Sequence, residues 1–215
     1  MKNLKLFSAH TDYKAAESSL ILPNVSFCLD TPNVVYYNPY DPYAGHEYVD
    51  LGLPSGTKWA TMNVGASSET DYGNYYQYGK GVAQYAATSG KSNYSGTESP
   101  LATSADTVAQ VWGGQWHMPT RTQFEELTAN TTYEWTTING VNGGKFTSQN
   151  GNYVFFAGAG YWSSGRQSNV GSYGHYWSSS PLNRGRSYSL VFNDGRKGVY
   201  TDDRPCGYSV RGVVG

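Results

Sequence analysis

Apolar residues form a regular skeleton in the C-terminal part of the chain, within residues 175–211. Ser189 and Val191 alternate with the positions of this skeleton and are therefore expected on the opposite face of a half-buried strand. We expect four residues of the skeleton to be buried: Trp177, Leu190, Phe192 and Val210. The side chains between them share no common chemistry, and we interpret those positions as free to vary.

Turn sequences predict two β-hairpins. Asn139-Gly140 and Asn142-Gly143-Gly144 separate two strand-like runs, and both favour turns because Asn and Gly tolerate a positive φ. Asp194-Gly195 predicts a second hairpin, whose return strand runs through residues 199–204. The closing strand is expected at residues 208–213, so that the variable side chains share one sheet face and its adjoining loops.

One helix is predicted to begin after Thr120. This residue is suited to the N-cap, because Gln123 lies three residues later and can reach back to the backbone N–H of the cap. Phe124 and Leu127 supply the buried stripe of the helix. Residues 79–106 are rich in Ser, Thr, Ala and Gly without periodicity, and we expect a long surface loop there.

Two segments are predicted, with a boundary after residue 45. The two prolines and the terminal glycine of residues 38–45 are typical of a stiff, extended linker. Before the linker, the sequence predicts two short strands joined by a turn at residues 30–33. We interpret residues 1–45 as an attachment or oligomerisation segment with its linker, and residues 46–215 as one ligand-binding domain. The alternative, a strand pair that packs on the domain of its own chain, stays open.

Composition favours short strands and many turns over long helices. The 215 residues include 20 Tyr and 26 Gly, and charged residues make up only 14%. This length has room for one sizeable domain and an appendage. We therefore expect a loop-rich α+β fold with short antiparallel strands and one or two helices, preceded by a small N-terminal β segment.

Charge and hydropathy argue against two classes of partner. The net charge is −1 and no basic stripe is present, so binding to nucleic acid is not expected. No run of about 18 apolar residues occurs, and the N-terminal residues contain no apolar run of signal-peptide length. We expect neither insertion into a membrane nor export directed by the chain itself.

The sequence contains no motif for catalysis or metal binding. Its four histidines are scattered without a His-x-x-Glu-His pattern, and no serine lies in a Gly-x-Ser-x-Gly elbow. Cys28 and Cys206 do not have the spacing of metal ligands. We expect no enzyme activity, no metal and no cofactor.

Five residue types are almost missing from the end of the chain. Glu, Gln, Met, Trp and Lys make up 31 of the 215 residues, whereas residues 180–215 contain only Lys197. Codons that end in a pyrimidine cannot encode these five types. Randomisation of the adenines in Asn codons would produce this bias, which therefore indicates a diversified region.

Six stretches of the sequence carry a family resemblance: EYVDLGLPSGTKWATMNVGA (47–66), WHMPTRTQFEEL (116–127), YEWTTINGVNGGKFTSQNG (133–151), FFAGAGY (155–161), GSYGHYWSSSP (171–181) and GYSVR (207–211). They span about three quarters of the chain. In this order they resemble the C-type-lectin-fold domains that share their architecture with formylglycine-generating enzymes. The end of the chain resembles the variable proteins of diversity-generating retroelements, and residues 1–45 resemble the leading segments of tail proteins from phages of gut bacteria.

The resemblance implies a C-type lectin fold in a phage tail or virion protein that binds a host-surface protein or glycan and is displayed as a homotrimer. The catalysis of formylglycine-generating enzymes needs reactive cysteines, and this domain contains only Cys206. Lectins that depend on calcium carry Glu-Pro-Asn or Gln-Pro-Asp before a Trp-Asn-Asp triplet, to which only Phe192-Asn193-Asp194 is similar here. His117 and Gly212 stand where the family usually has Arg and Pro, and Met62 where many members have Cys.

Alignment on the apolar skeleton leaves a set of candidate ligand-binding positions in a variable region at about residues 180–208. They are Leu182, Asn183, Arg184, Arg186, Ser189, Val191, Asp194, Arg196, Val199, Tyr200, Thr201, Asp202, Asp203, Pro205, Cys206 and Tyr208. The three arginines and two tyrosines of this set are the expected anchors, because Arg and Tyr combine contact area with adaptable hydrogen bonds. Asp202 and Asp203 would select a cationic or hydrogen-bond-donating patch on the partner.

Two alternatives stay open at this point. A fixed carbohydrate-binding module would stack sugars on three exposed rings: Trp162, Tyr176 and Trp177. A degenerate enzyme would form a deep polar pocket near three residues: Ser178, Ser179 and Arg211. We expect instead that Trp177 and Arg211 are buried parts of the scaffold.

Overall fold

In the computed structural model, residues 43–82 and 94–215 are described. The chain divides into two compact units, Met1–Gly45 and His46–Gly215. The predicted N-terminal strands, the turn at residues 30–33 and Cys28 lie outside the described residues. All the helices and strands given below belong to the second unit.

Short antiparallel strands dominate the second unit, and its described residues form two helices. In chain order the elements are β1 (Tyr48–Asp50), β2 (Lys58–Asn63), α1 (Thr107–Val111), α2 (Arg121–Asn130), β3 (Thr131–Ile138), β4 (Val141–Ser148), β5 (Tyr153–Ala157), β6 (Tyr161–Ser163), β7 (Arg166–Ser168), β8 (Gly174–Pro181), β9 (Arg186–Asn193), β10 (Arg196–Asp203) and β11 (Arg211–Val214). The small sheets have the orders β1-β2-β11, β3-β4-β5 and β10-β9-β8, and β6 pairs with β7. The predicted α+β class, with short antiparallel strands and two helices, is confirmed.

The predicted helix is present as α2, and it begins as its sequence indicates. The backbone N–H of Gln123 donates to the Thr120 hydroxyl at 3.2 Å, and the Gln123 side chain accepts from the Thr120 N–H at 2.8 Å. Phe124 and Leu127 lie on the inner face of the helix and are fully buried. These contacts are the reciprocal capping box that satisfies two free N–H groups at a helix start.

The first hairpin forms at only one of its two predicted turn sequences. Asn139 and Gly140 connect β3 to β4 with φ angles of 50° and 81°. Asn142-Gly143-Gly144, in contrast, lies within β4 and pairs with β3. A Cβ on Gly144 would stand 2.9 Å from the Phe192 ring, so this glycine allows the close approach of two sheets. The turn prediction is wrong there because the need for glycine arises from packing.

The second predicted hairpin is formed by β9 and β10. The side-chain oxygen of Asn193 accepts hydrogen bonds from the N–H groups of Gly195 and Arg196 at 2.9 and 3.0 Å, which organises the turn. The closing strand is shorter and later than predicted, because only Arg211–Val214 forms β11 and pairs with β2. Tyr208 joins the structure instead through an isolated bridge to Tyr76.

The hydrophobic core lies between the sheets and α2. All four residues of the apolar skeleton that were expected in the interior are fully buried, which confirms this prediction: Trp177, Leu190, Phe192 and Val210. Phe156 lies at the centre of an aromatic cluster, with its ring centroid 4.9 Å from that of Tyr176 and 5.5 Å from that of Phe146. Aromatic pairs at such edge-to-face distances add stability beyond the area that they bury.

Candidate ligand-binding face

The sheet β10-β9-β8 has one face on the core and one face directed away from it. Leu190 and Phe192 of β9 point into the core, so Ser189 and Val191 point the other way. The register places these two residues beside others of the same orientation, and together they define what we call the outer face: His175, Trp177, Ser187, Ser189, Val191, Arg196, Tyr200 and Asp202. The outer face therefore combines residues of the predicted variable region with residues that precede it.

Aromatic rings cover the centre of the outer face. Tyr208 stacks on Trp177 with ring centroids 4.2 Å apart, and its ring lies 4.9 Å from that of His175. Tyr161 also packs against His175, at 4.9 Å, and Tyr173 lies 6.1 Å from it. The chain that leaves β10 and the residues around β6 thus return over the sheet.

This cover buries three of the predicted ligand-binding residues. Ser189 is 0% exposed, and Val191 and Tyr208 are each 3% exposed. These three side chains are therefore not accessible to a ligand in this structure, and their predicted part in binding stays a prediction. A fourth position, Val199, points to the opposite face of the sheet and packs against the core.

The remaining predicted residues lie at or near the surface. Eight of them are exposed: Leu182, Asn183, Arg184, Arg186, Asp194, Arg196, Tyr200 and Asp203. Four more are half-buried: Thr201, Asp202, Pro205 and Cys206. The exposed side chains occupy the turn between β8 and β9, the turn between β9 and β10, and β10 itself. A single three-stranded sheet therefore carries the whole predicted set up to Asp203.

Some of these exposed side chains form hydrogen bonds with the backbone of the neighbouring turns. The Asn183 side chain accepts from the N–H groups of Gly185 and Arg186, both at 2.9 Å, as Asn193 does in the next turn. Arg186 donates to the carbonyl of Thr201 and lies 3.4 Å from the Asp203 carboxylate. Asn183 and Arg186 therefore also stabilise the turn that presents Arg184.

Opposite charges lie on different parts of the outer face. The Ser189 hydroxyl donates to the carboxylate of Asp202, which is half-buried. The guanidinium of Arg196 lies 5.3 Å from the ring centroid of Tyr200 and 5.9 Å from that of Tyr173. Burial raises the pKa of Tyr208 far above its usual value, and the neighbouring Asp202 carboxylate raises it further.

Three residues of this face were missed in the sequence: Tyr161, Tyr173 and His175. They precede the compositional bias at residues 180–215, so the signal that indicated variable positions does not include them. The abundance of tyrosine was a signal for them, but it does not identify which of the 20 tyrosines meet. Their contact depends on the bridge between Trp162 and Gly207, which joins distant parts of the chain.

Five of the six residues that the two alternatives require at an accessible surface are buried. Tyr176 and Trp177 are 0% exposed and offer no ring face to a sugar, and Trp162 is half-buried. Ser178, Ser179 and Arg211 are also 0% exposed. The expectation that Trp177 and Arg211 belong to the scaffold is confirmed.

A cavity of about 590 Å³ lies elsewhere, between α1 and α2. Asp106 lines it and accepts hydrogen bonds from the N–H groups of Ala109 and Met118, at 3.0 and 2.8 Å. Burial raises the pKa of this carboxyl group. Within residues 43–82 and 94–215, no three His, Cys, Asp or Glu side chains gather to hold a metal ion.

Comparisons of the chain with protein-family models, with curated proteins and with solved structures found no match. No helix in the described part of the chain is long and apolar enough to cross a membrane.

His175 makes the stability of this face depend on pH. Burial is the largest cause that lowers the pKa of His175 from 6.5 to about 4, while Asp202 opposes the shift and Arg196 adds to it. Above pH 6.5 the imidazole is neutral in both the folded and the unfolded chain. As the pH falls from 6.5 to 4, the unfolded chain binds a proton that the folded chain excludes, so stability is lost. We expect this loss to reach about 3 kcal/mol.

Urea unfolding of the wild type and of His175→Phe at pH 7 and pH 4 measures this effect. Phenylalanine keeps the ring contacts with Tyr161 and Tyr208 but cannot bind a proton. The wild type should lose more free energy of unfolding than the variant over this range. Equal losses in both proteins would show that His175 does not resist protonation.

Proposed function

We propose that this chain is a diversified ligand-binding protein of a phage tail or virion. Its domain is a C-type lectin fold of the kind found in variable proteins of diversity-generating retroelements, and it binds a host-surface protein or glycan. The proposal includes display as a homotrimer, because several weak sites on one particle raise the effective concentration for binding. It includes no catalytic step and no cofactor.

One observation supports this proposal most strongly. Most residues that vary by our interpretation are separate from the residues that maintain the fold: Trp177, Leu190 and Phe192 are fully buried, whereas twelve of the sixteen predicted positions lie at or near the surface. The exceptions are Ser189, Val191, Val199 and Tyr208. Substitution of exposed side chains that pack on nothing usually changes stability by less than about 0.5 kcal/mol. Diversification of a binding protein requires this separation, because each new sequence must still fold.

The exposed anchors have the chemistry of a protein-binding surface. Tyr200 is 41% exposed, and Arg196 packs over its ring. Tyrosine supplies contact area at a low cost in conformational entropy, and arginine supplies several directional donors. Such residues account for much of the affinity at many protein interfaces.

Binding to whole cells of candidate gut bacteria tests the proposal. The variant Arg184→Ala/Arg196→Ala/Tyr200→Ala should lose at least about tenfold in affinity, because each anchor is worth about 1–2 kcal/mol. Tyr208 is left unchanged, since its loss would disturb the fold. A retained far-UV circular dichroism spectrum would show that the variant is folded.

A second triple variant controls for the loss of charge and of a tyrosine. Lys58→Ala/Lys145→Ala/Tyr153→Ala also removes two cations and one exposed tyrosine, and none of them belongs to the sheet β10-β9-β8. This control should bind cells as the wild type does. If both variants bind equally well, the site lies elsewhere and the proposed function of this sheet is wrong.

Genomic DNA tests the diversification directly. A near-identical repeat that differs from this gene only at adenines, next to a reverse-transcriptase gene, is expected. Absence of any such repeat from the genome would contradict a retroelement origin, although it would leave the cell-binding result standing.

A further inference from the structure

We propose that the outer face of this chain takes up a cationic side chain, Lys or Arg, from the surface of a partner protein, with Asp202 as the acceptor. The inference rests on the proposed function and specifies the ligand chemistry of the same site. It concerns the residues that this particular sequence carries at the predicted variable positions.

The Asp202 carboxylate is oriented but lacks a cationic partner. The Ser189 hydroxyl donates to it, and the buried Tyr208 lies beside it. The ion pairs formed among the described residues are those of Arg121 with Glu125 and of Arg186 with Asp203, and neither includes Asp202. A half-buried carboxylate without a cation has lost part of its hydration, and a charged donor restores that free energy best.

Aromatic rings lie on the same face of the sheet as Asp202. Tyr161, His175 and Tyr208 are in mutual ring contact, with centroids between 4.9 and 6.1 Å apart. Ring faces attract ammonium and guanidinium groups within about 6 Å, and the attraction grows when water is displaced. The Asp202 carboxylate therefore supplies the complementary charge, and the exposed ring of Tyr200, on the same face of β10, supplies an accessible ring.

Arg196 shows that a guanidinium is compatible with other ring faces on this side of the sheet. It already lies over Tyr200 and Tyr173, and its charge also acts on His175. A cation from a partner must therefore approach against the repulsion of Arg196. Removal of Arg196 should therefore strengthen the binding of a cation. It should weaken the binding of an anionic or sugar ligand that accepts hydrogen bonds from Arg196.

Small probes can test this chemistry on the full chain. The cations are Nα-acetyl-lysine amide and Nα-acetyl-arginine amide, and Nα-acetyl-norleucine amide is the neutral analogue. Amide chemical shifts in ¹H–¹⁵N spectra report binding at each residue. We expect saturable shifts on β10 and around Tyr208 with the cations, at about millimolar concentrations, and none with norleucine.

Matched aspartate variants separate recognition from overall charge. Asp202→Asn keeps an acceptor for Ser189 and should lower the affinity for the cations about tenfold. Asp50→Asn removes the same charge from an exposed residue of β1, outside the sheet β10-β9-β8 and outside the predicted binding set, and should change the affinity less than twofold. Arg196→Ala should raise the affinity for these free cations several-fold, because they make none of the other contacts through which Arg196 anchors a whole partner.

Three results would overturn the inference: no saturable shift with either cation, equal effects of the two aspartate variants, or weaker binding after Arg196→Ala. Methyl α-glucopyranoside provides the comparison with a glycan, and its binding at the same residues in place of the cations would also overturn it. If the probes do not bind but the triple variant still loses its binding to cells, the proposed function stands. Only the inference of a cationic ligand is then wrong.

Discussion

Replacement of Arg211 by Ala should lower the free energy of unfolding by about 3–5 kcal/mol. Its fully buried guanidinium donates to the carbonyls of Ala60 and Thr61, at 2.7 and 2.8 Å, and to that of Phe155 at 2.8 Å. It also donates to the side chain of Asn63. Removal leaves these acceptors buried without this donor, and it removes the side-chain hydrogen bonds that link β11 to β2 and β5. Urea unfolding followed by tryptophan fluorescence measures the loss.

An exposed arginine provides the control for this substitution. Arg121 forms an ion pair with Glu125 on the surface of α2, and Arg121→Ala should cost less than about 1 kcal/mol. A loss of similar size in Arg211→Ala would show that the buried hydrogen bonds contribute little. The expected difference would show that the end of the chain closes the scaffold on which the outer face is built.

Replacement of Tyr208 by Ala should also destabilise the domain, by about 3–5 kcal/mol. The ring stacks on Trp177 at 4.2 Å and is only 3% exposed, so its removal opens a cavity between two elements. Tyr208→Phe keeps the stack and should cost at most about 1.5 kcal/mol. Thermal unfolding of the two variants measures the difference between the loss of the ring and the loss of the hydroxyl group.

Tyr200 is the matched comparison, because it is a tyrosine of the same surface that is 41% exposed. Tyr200→Ala should change stability by less than about 0.5 kcal/mol. If Tyr208→Ala lowered the free energy of unfolding by as little, the ring of Tyr208 would not stabilise the outer face. The expected contrast means that position 208 can vary only within large aromatic side chains, whereas position 200 can vary freely.

The helix start and one hairpin turn could be predicted from the sequence, because the residues that form them are close together in the chain. Thr120 and Gln123 cap α2 as predicted, and Asn139-Gly140 forms its turn. Asn142-Gly143-Gly144 has the same local signal but lies in a strand, since its glycines make room for an aromatic ring from another sheet. A turn and a close approach both require glycine, and the sequence alone does not separate them.

The candidate site could be predicted from the sequence only in part, because some of its contacts join residues that are distant in the chain. Alternation along β9 correctly places Ser189 and Val191 away from the core. It cannot show that Tyr208 returns over them, because this contact joins residues that are far apart in the sequence. Burial on the outer face is decided by the chain that leaves β10, not by the period of β9.

By itself, the sequence determined the strand-rich α+β class, the capped helix, the β9–β10 hairpin and the buried apolar skeleton, because propensity, capping and period-two burial act over a few residues. Only the tertiary structure decided which of the predicted binding residues reach solvent. In the structure, the rings of Tyr161 and Tyr173 pack against that of His175 on the outer face. Ser189, Val191 and Tyr208 are buried. Side-chain exposure is a property of everything that packs nearby, and most of those neighbours are distant in the chain.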